Sequence, residues 1–481
     1  MISVSERIAV LLFGLSFFAF LLYLLNRRPV IFVSFFFIIF TLAWRMSATM
    51  FIDLQGPVYS SQLARDIGPG TASVVHSLAY VVSLIPFLYC FRPGIIEAWR
   101  ADSQRSRTIR GDITLSDITF ALSLLFLSFL FFDLVRRGSI PLFNRIERFD
   151  YAGGSAHRWM IKYGNFVTFW WGVMFAAGYI QQRRFDWRML GLLCATAVYA
   201  LLTGNRFSAF YSQSSFFIIP WAAVVALRYR SVDESFFSLI RSRFASWTSR
   251  LTAIGLIAVA VGTISFAIYN NLANVRGYTG NEIWRQAFDR TLIQPSEIGW
   301  TSFERVFQSG QTEPSLVFHF LFEDPIDPTR NTSIQYLMFA SIGEPRTSGN
   351  LSHGFQLAGG FPEIFFELFG PYWAWPFLLG AGCITAALTA FVVRGTLCGN
   401  YASAFLALYV LYGFFIMYVG GMLNFITTGT YGIKVAALAA ALLIEASLAR
   451  IGVPLVPWVV FRVPQRGWLK RFPFTRSRTD S

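Results

Sequence analysis

An all-α, polytopic bundle of transmembrane helices is the fold class this sequence predicts, and three observations predict it. The 481 residues are 55% hydrophobic and 18% aromatic but only 14% charged, with 52 phenylalanines, whereas soluble domains carry about 25% charge. The apolar residues gather into runs of about 15–23 residues, close to the ~20 that a helix needs to cross the hydrocarbon core. The basic residues stand mostly between those runs. Helix is forced there, because lipid offers the backbone no hydrogen-bond partner.

Eleven spans are expected: Ile8–Leu25, Val30–Trp44, Thr71–Phe91, Leu115–Val135, Tyr163–Ile180, Met189–Thr203, Ala209–Leu227, Leu251–Asn270, Tyr372–Val393, Tyr401–Leu423 and Tyr431–Ala449. The first run ends at Asn26-Arg27-Arg28 without a small-residue cleavage pattern, so it reads as a span rather than a signal peptide. No internal repeat is visible, and 1–481 reads as a single integral membrane domain. Cys90, Cys194, Cys383 and Cys398 lie in or beside apolar runs, which predicts neither a disulfide framework nor a metal site.

Orientation follows from Lys and Arg, which favour the cytoplasmic side. With the basic tail 450–481 inside, that face holds 23 of the 40 basic and 9 of the 26 acidic groups, and the whole net charge of +14 falls on it. The expected topology is therefore N-terminus out and C-terminus in. The charges punctuate apolar runs and form no basic stripe, so nucleic acid is excluded as a partner; the short basic inner loops suit anionic membrane lipid. Two outer segments exceed a connector, 136–162 and 271–371, and loops beyond about 15 residues are usually functional. Ile283, Trp284, Ala287, Phe288 and Leu292 fall at helical spacing, so the second segment should carry short helices lying over the bundle.

Candidate chemistry gathers on that outer side. Arg206, in Thr203-Gly204-Asn205-Arg206, has almost no turn to occupy, because Met189–Leu227 must supply two crossings. It should sit at or below the interface, beside a polar stretch Tyr211–Ser215 facing a wet cavity; snorkelling to headgroups is the plain alternative. Arg276, Arg290 and Arg346 belong to the long outer loop. A guanidinium suits phosphate and keeps its charge, but pairing with local acids, as for Arg285 with Asp289, is the simpler reading. Arg136, Arg137, Arg145, Arg148, His157 and Arg158 in the first loop have no diagnostic spacing, and Arg45 with Asp53, or Arg65 with Asp66, read as simple ion pairs. His353 and the stretch Gly359-Gly360-Phe361-Pro362-Glu363 to Glu367-Leu368-Phe369-Gly370 place a histidine and two carboxylates, one helical turn apart, in a Gly- and Pro-punctuated segment. An acid following Pro362 is also what a helix start favours.

The layout, with Thr203-Gly204-Asn205-Arg206 between mid-chain spans and Gly-Gly-x-Pro-Glu-x3-Glu-x-Phe-Gly before the last ones, resembles the Wzy-type O-antigen polymerases, which join oligosaccharide repeat units in bacteria. The glycine-spaced arginine motif of some members is not reproduced. The resemblance implies a membrane glycosyltransferase of the C type in the inner membrane, with its site facing the periplasm. Its substrate would be a glycan on undecaprenyl pyrophosphate, with no metal or other cofactor and a chain-length regulator protein as a further partner. Arg206, Arg276, Arg346 and Arg290 would then hold the pyrophosphate, with Glu367 lining the substrate site, and Glu363 or His353 would serve as general base. An O-antigen ligase, through His353, and a flippase of lipid-linked glycans are the alternatives; a flippase would place its binding groups near the midplane, between repeats.

Overall fold

The structure, a computed structural model, describes residues 3–106, 115–144, 146, 148–182, 184–204, 207–228, 278–317, 333–352 and 359–450, with isolated positions between 255 and 273. Arg206, Arg276 and His353 lie outside the described residues, as do most of the expected span Leu251–Asn270 and the tail beyond Arg450.

The chain enters α1 (Val4–Arg27) through a capping box, in which Ser3 and Glu6 satisfy each other's backbone N–H. Next, α2 (Pro29–Ser34) and α3 (Phe36–Gln55) form one crossing broken at Phe35. A hairpin, β1 (Val58–Ser60) with β2 (Arg65–Ile67), pairs Val58 with Ile67 and Ser60 with Arg65. It leads to α4 (Ala72–Cys90), α5 (Pro93–Ser106) and α6 (Leu115–Arg137). Two short helices, α7 (Pro141–Asn144) and α8 (Arg148–Gly154), precede α9 (His157–Gln182), α10 (Trp187–Leu202), α11 (Phe207–Ile218) and α12 (Trp221–Arg228). Then α13 (Asn281–Phe288), α14 (Glu297–Phe303), α15 (Ser333–Ile342) and α16 (Glu344–Ser352) lie over one end of the bundle, here termed the capped end. Finally come α17 (Glu363–Cys398), α18 (Tyr401–Gly420) and α19 (Gly429–Arg450).

Among the described residues, eight helices are long and apolar enough to cross a membrane. Each overlaps an expected span, Phe36–Gln55 only from Phe36 to Trp44; the expected span Tyr163–Ile180, within α9, is not among the eight, and α10, at 16 residues, is shorter than that measure requires. The expected surface helix is α13: Ile283 is buried, whereas Trp284 and Phe288 are exposed, with the Phe288 ring edge-on to Phe51. The core is aromatic and continuous, centred on α4, α17 and α18, with α9 packed on α11. Small residues let these helices approach. A Cβ on Gly382 of α17 would stand 2.4 Å from the Ser83 carbonyl of α4.

One element departs from simple crossings. The helix α17 is two helices joined at Gly370, whose φ of 73° breaks it ahead of Pro371. Its first two turns, Glu363–Phe369, and the non-helical Gly359–Pro362 before them are buried almost throughout. Phe361 reaches inward to lie 4.3 Å from the Tyr418 ring and parallel to Tyr80. Phe369 then stacks on Phe377 at 3.8 Å, so the chain folds back before crossing. The segment 359–369 is therefore a re-entrant turn tucked into the capped end. Gly382→Ala should lower the unfolding midpoint in detergent by an overpacking cost of about 1–3 kcal/mol. Gly380→Ala, two residues away with no neighbour within 4 Å of its Cβ, should hold or raise it.

Candidate functional site

Glu363 starts a helix, and its local role is a helix-start role: Oε2 accepts the Gly360 N–H at 3.0 Å. Its other partners come from far along the chain. Arg45 of α3 makes an ion pair with Oε1, and the same guanidinium donates to the carbonyls of Phe361 and, at 3.4 Å, Pro295. His76 of α4 sits with Nε2 3.1 Å from Oε1 and Nδ1 2.7 Å from the Ala72 carbonyl. A carbonyl only accepts, so Nδ1 carries a proton. Arg45, His76 and Glu363 are all buried, and this cluster meets the polar groups of a turn that lipid could not. Arg45 does not pair with Asp53, as its sequence position suggested; the Asp53 carboxylate accepts the Ser73 N–H at 2.7 Å and so fixes the start of α4.

Glu367 shares the buried segment. Its Oε1 takes Arg305 Nε at 3.3 Å, Arg305 also reaches the Tyr336 hydroxyl at 3.3 Å, and the Glu367 carbonyl accepts the Glu313 N–H at 2.8 Å. The loop between α13 and α15 is thus tied to the re-entrant turn. A second tie joins it to the hairpin: Ser60 donates to Glu297, and Arg65 pairs with Glu304 rather than with neighbouring Asp66, while Trp300 Nε1 donates to Glu304 at 3.0 Å. Burial pushes the Glu297 carboxyl up to about 7, against the Ser60 hydrogen bond and with some help from the charge of Asp289. Arg290 is half-buried with its Nε unpartnered among the described residues, whereas Arg346 is exposed and donates to the Gln62 carbonyl at 3.0 Å.

The turn braces a cavity. Gly360 has a φ of 120°, and a Cβ there would lie 2.4 Å from the Gly420 carbonyl. Only glycine allows that backbone contact. Gly420 and Met422, on either side of this crossing, border a cavity of about 390 Å³. Its polar groups are Asn165 of α9, Ser212 of α11 and Tyr412 of α18, set among Phe37, Phe216 and Phe415. Ser212 donates to Asn165 Oδ1 at 2.8 Å, and Asn165 Nδ2 faces the Tyr412 hydroxyl at 3.4 Å. The polar stretch after Arg206 therefore does turn toward a cavity, through Ser212.

Residues 327–433 match the model of a family of unknown function, DUF6418. That segment holds the re-entrant turn, α15, α16 and α18, and so one wall of the cavity. No curated protein and no solved structure matches the chain.

Of the residues singled out from sequence, Glu363 and Glu367 come together in the turn, while Arg290 and Arg346 lie apart from it in the loop. His76, Asn165 and Tyr412 were missed. His76 carried a usable signal, an ionisable residue within an apolar span; Asn165 and Tyr412 carried none. Replacing Arg45 or Glu363 alone by Met should cost about 3–5 kcal/mol, because each leaves a buried partner unpaired. The double replacement should cost clearly less than the sum, and strict additivity in thermal unfolding would show the pair to be uncoupled. For Glu297, the folded carboxyl holds its proton up to pH about 7 whereas the usual value is 4.5. Its contribution is thus full below about 4.5 and fades as pH rises through 7, by roughly 3 kcal/mol at most. Unfolding midpoints across that window should fall for the wild type and flatten in Glu297→Gln.

Proposed function

We propose that this chain is a membrane glycosyltransferase that polymerises lipid-pyrophosphate-linked oligosaccharide repeat units, in the manner of the family its sequence resembles. The proposal takes eleven spans with the N-terminus out and the C-terminus in, in a bacterial inner membrane, so that the capped end faces the periplasm. The observation that supports it most is convergence on one cavity. Thr203-Gly204-Asn205-Arg206 leads directly into α11, which offers Ser212 and Phe216 to the lining. The Gly-Gly-Phe-Pro-Glu stretch, distant in sequence, packs against the backbone beside Gly420 and Met422 on the same lining.

In the proposed reaction a hydroxyl of the incoming repeat unit attacks the anomeric carbon of the growing chain. The bond to the lipid pyrophosphate breaks with its electron pair, and the hydroxyl proton passes to a base. Arg206, with Arg276, meets the charge that develops on the leaving group, which needs donors aimed where charge appears. His353 is the candidate base, with Glu363 the alternative; as held here, Glu363 is enclosed by three polar partners and acts first as the anchor of the turn. Among the described residues of the loop, Arg290 keeps an unpartnered Nε, whereas Arg346 and Glu367 are already engaged.

Arg206→Ala should leave membrane abundance unchanged and lower polymerisation by roughly 10²–10³, leaving single repeat units attached to the lipid core. Near-normal chain lengths would remove Arg206 from the mechanism, and complete absence of attached glycan would favour a ligase instead. Topology is checked separately: reporter fusions after Arg27 and at Arg450 should read cytoplasmic, and those at 138 or 310 periplasmic.

A further inference from the structure

The cavity between α9, α11 and α18 has a lining chemistry of its own, and it differs from that of a pyrophosphate site. Among the described residues, none of the side chains lining it is charged. An anion placed there would lose its hydration with no cation to meet it, which costs far more than hydrogen bonds return. A lipid tail is equally ill-suited, because it would desolvate the amide of Asn165 and the hydroxyls of Ser212 and Tyr412 with nothing in exchange. Water alone would satisfy those groups but would lie against the faces of Phe37, Phe216 and Phe415.

The hydrogen-bonding pattern narrows the choice further. Ser212 spends its proton on Asn165 Oδ1 at 2.8 Å, which leaves its lone pairs as acceptors. That bond turns the Asn165 amide nitrogen toward Tyr412, whose oxygen it meets at a long 3.4 Å. One amide hydrogen of Asn165 and the phenolic hydrogen of Tyr412 then have no acceptor among the described residues. Adjacent donors and an acceptor, set against aromatic faces, complement groups that both donate and accept on an otherwise apolar ring. Neighbouring hydroxyls of a pyranose have that character, with C–H faces to lie on the phenyl rings. At ~30 Å³ per water, the 390 Å³ of this cavity also leaves room for a hexopyranose, which has about twelve heavy atoms.

We infer that this cavity is a binding subsite for an uncharged pyranose, held by Asn165, Ser212 and Tyr412 against Phe37, Phe216 and Phe415. The inference rests on the proposed glycan chemistry for its place in function: it is where a neutral sugar of a repeat unit sits, separate from the arginines that meet the pyrophosphate. The lining faces α18 on one side and α11 on the other, so the sugar would lie next to the stretch that leads back to Arg206.

The test uses the full chain in lipid nanodiscs and ligand-observed NMR with methyl glucoside, methyl galactoside and methyl mannoside as probes, and glucuronate and inorganic pyrophosphate as charged comparators. At least one neutral glycoside should show saturation transfer to its ring protons. Asn165→Leu should weaken that binding about tenfold, and Tyr412→Phe about three- to fivefold, each with an unchanged unfolding midpoint. Tyr412→Phe, which removes one oxygen, keeps the test open should Asn165→Leu not fold. Absence of binding by all three neutral probes overturns the inference, as does equal binding by Asn165→Leu and Tyr412→Phe, or displacement of the glycoside by pyrophosphate. Arg206→Ala separates this from the proposed reaction: it should lose polymerisation and keep glycoside binding. A chain that binds glycosides but never polymerises keeps the subsite and loses the enzyme; one that polymerises without such binding does the reverse.

Discussion

Irregular backbone within a lipid-embedded bundle has to be satisfied by protein, and here the satisfaction comes from one buried cluster. The Arg45 guanidinium donates to Glu363 and to the Phe361 and Pro295 carbonyls, and Glu363 returns an acceptor to Gly360. Arg45 thus stitches together three segments that neither share a helix nor follow one another in the chain. A lysine would keep the charge but lose the fork that reaches three acceptors at once. The desolvation of these ions is offset only because every one has close partners, which is why the cluster tolerates burial and why half of it would not.

From that anchor the rest of the capped end follows in steps. The turn holds Gly360 against Gly420 and Gly421 in a contact that admits no side chain. Ser333 closes the other side of the same crossing by donating to the Gly421 carbonyl at 2.7 Å and accepting the Leu423 N–H at 3.3 Å. The end of α18 is thereby fixed from two directions, and with it the cavity wall that runs from Tyr412 to Gly420. The loop over the turn is fixed by Glu367 with Arg305 and by the hairpin with Glu297 and Glu304. Each tie joins a carboxylate to a group supplied by another element, which is a pattern of positioning rather than of surface decoration.

The long apolar helices were legible because hydropathy is local: a run of about 20 apolar residues has one good solution in lipid. The helix start at Glu363 was legible for the same reason, since Pro362 and an acid suffice to mark it. What failed was pairing. Arg45 was assigned to Asp53 and Arg65 to Asp66 by nearness in sequence, yet their partners stand 318 and 239 residues away. Charge alone does not choose among 26 acids; the fold does. The cavity was legible only from one side, through the polar start of α11, because a single asparagine in α9 and a tyrosine in α18 look like any others until the helices meet. Arg206, Arg276 and His353, three of the residues singled out from the sequence, lie outside the described residues.

A separation of the proposed pyrophosphate site from the cavity bears on how the proposed transfer would work. A pyrophosphate leaving group calls for fixed positive charge, and a strongly charged pocket serves a neutral sugar badly, because ions compete with it for every donor. If the arginines of the proposed reaction meet the pyrophosphate apart from this cavity, each part can be matched to its own half of a lipid-linked glycan. It also bears on the base. A proton acceptor has to present a free lone pair within about 2.6–3.2 Å of the attacking hydroxyl. Glu363 Oε1 already faces Arg45 and His76, and Oε2 faces Gly360, so taking a proton would loosen the anchor on which the cavity wall depends. A mechanism that used Glu363 as base would therefore move the turn in every cycle, whereas one that used another group would leave it still. Because the leaving group is already good once its charge is met, the second course asks less of the fold and is the more economical reading of this geometry.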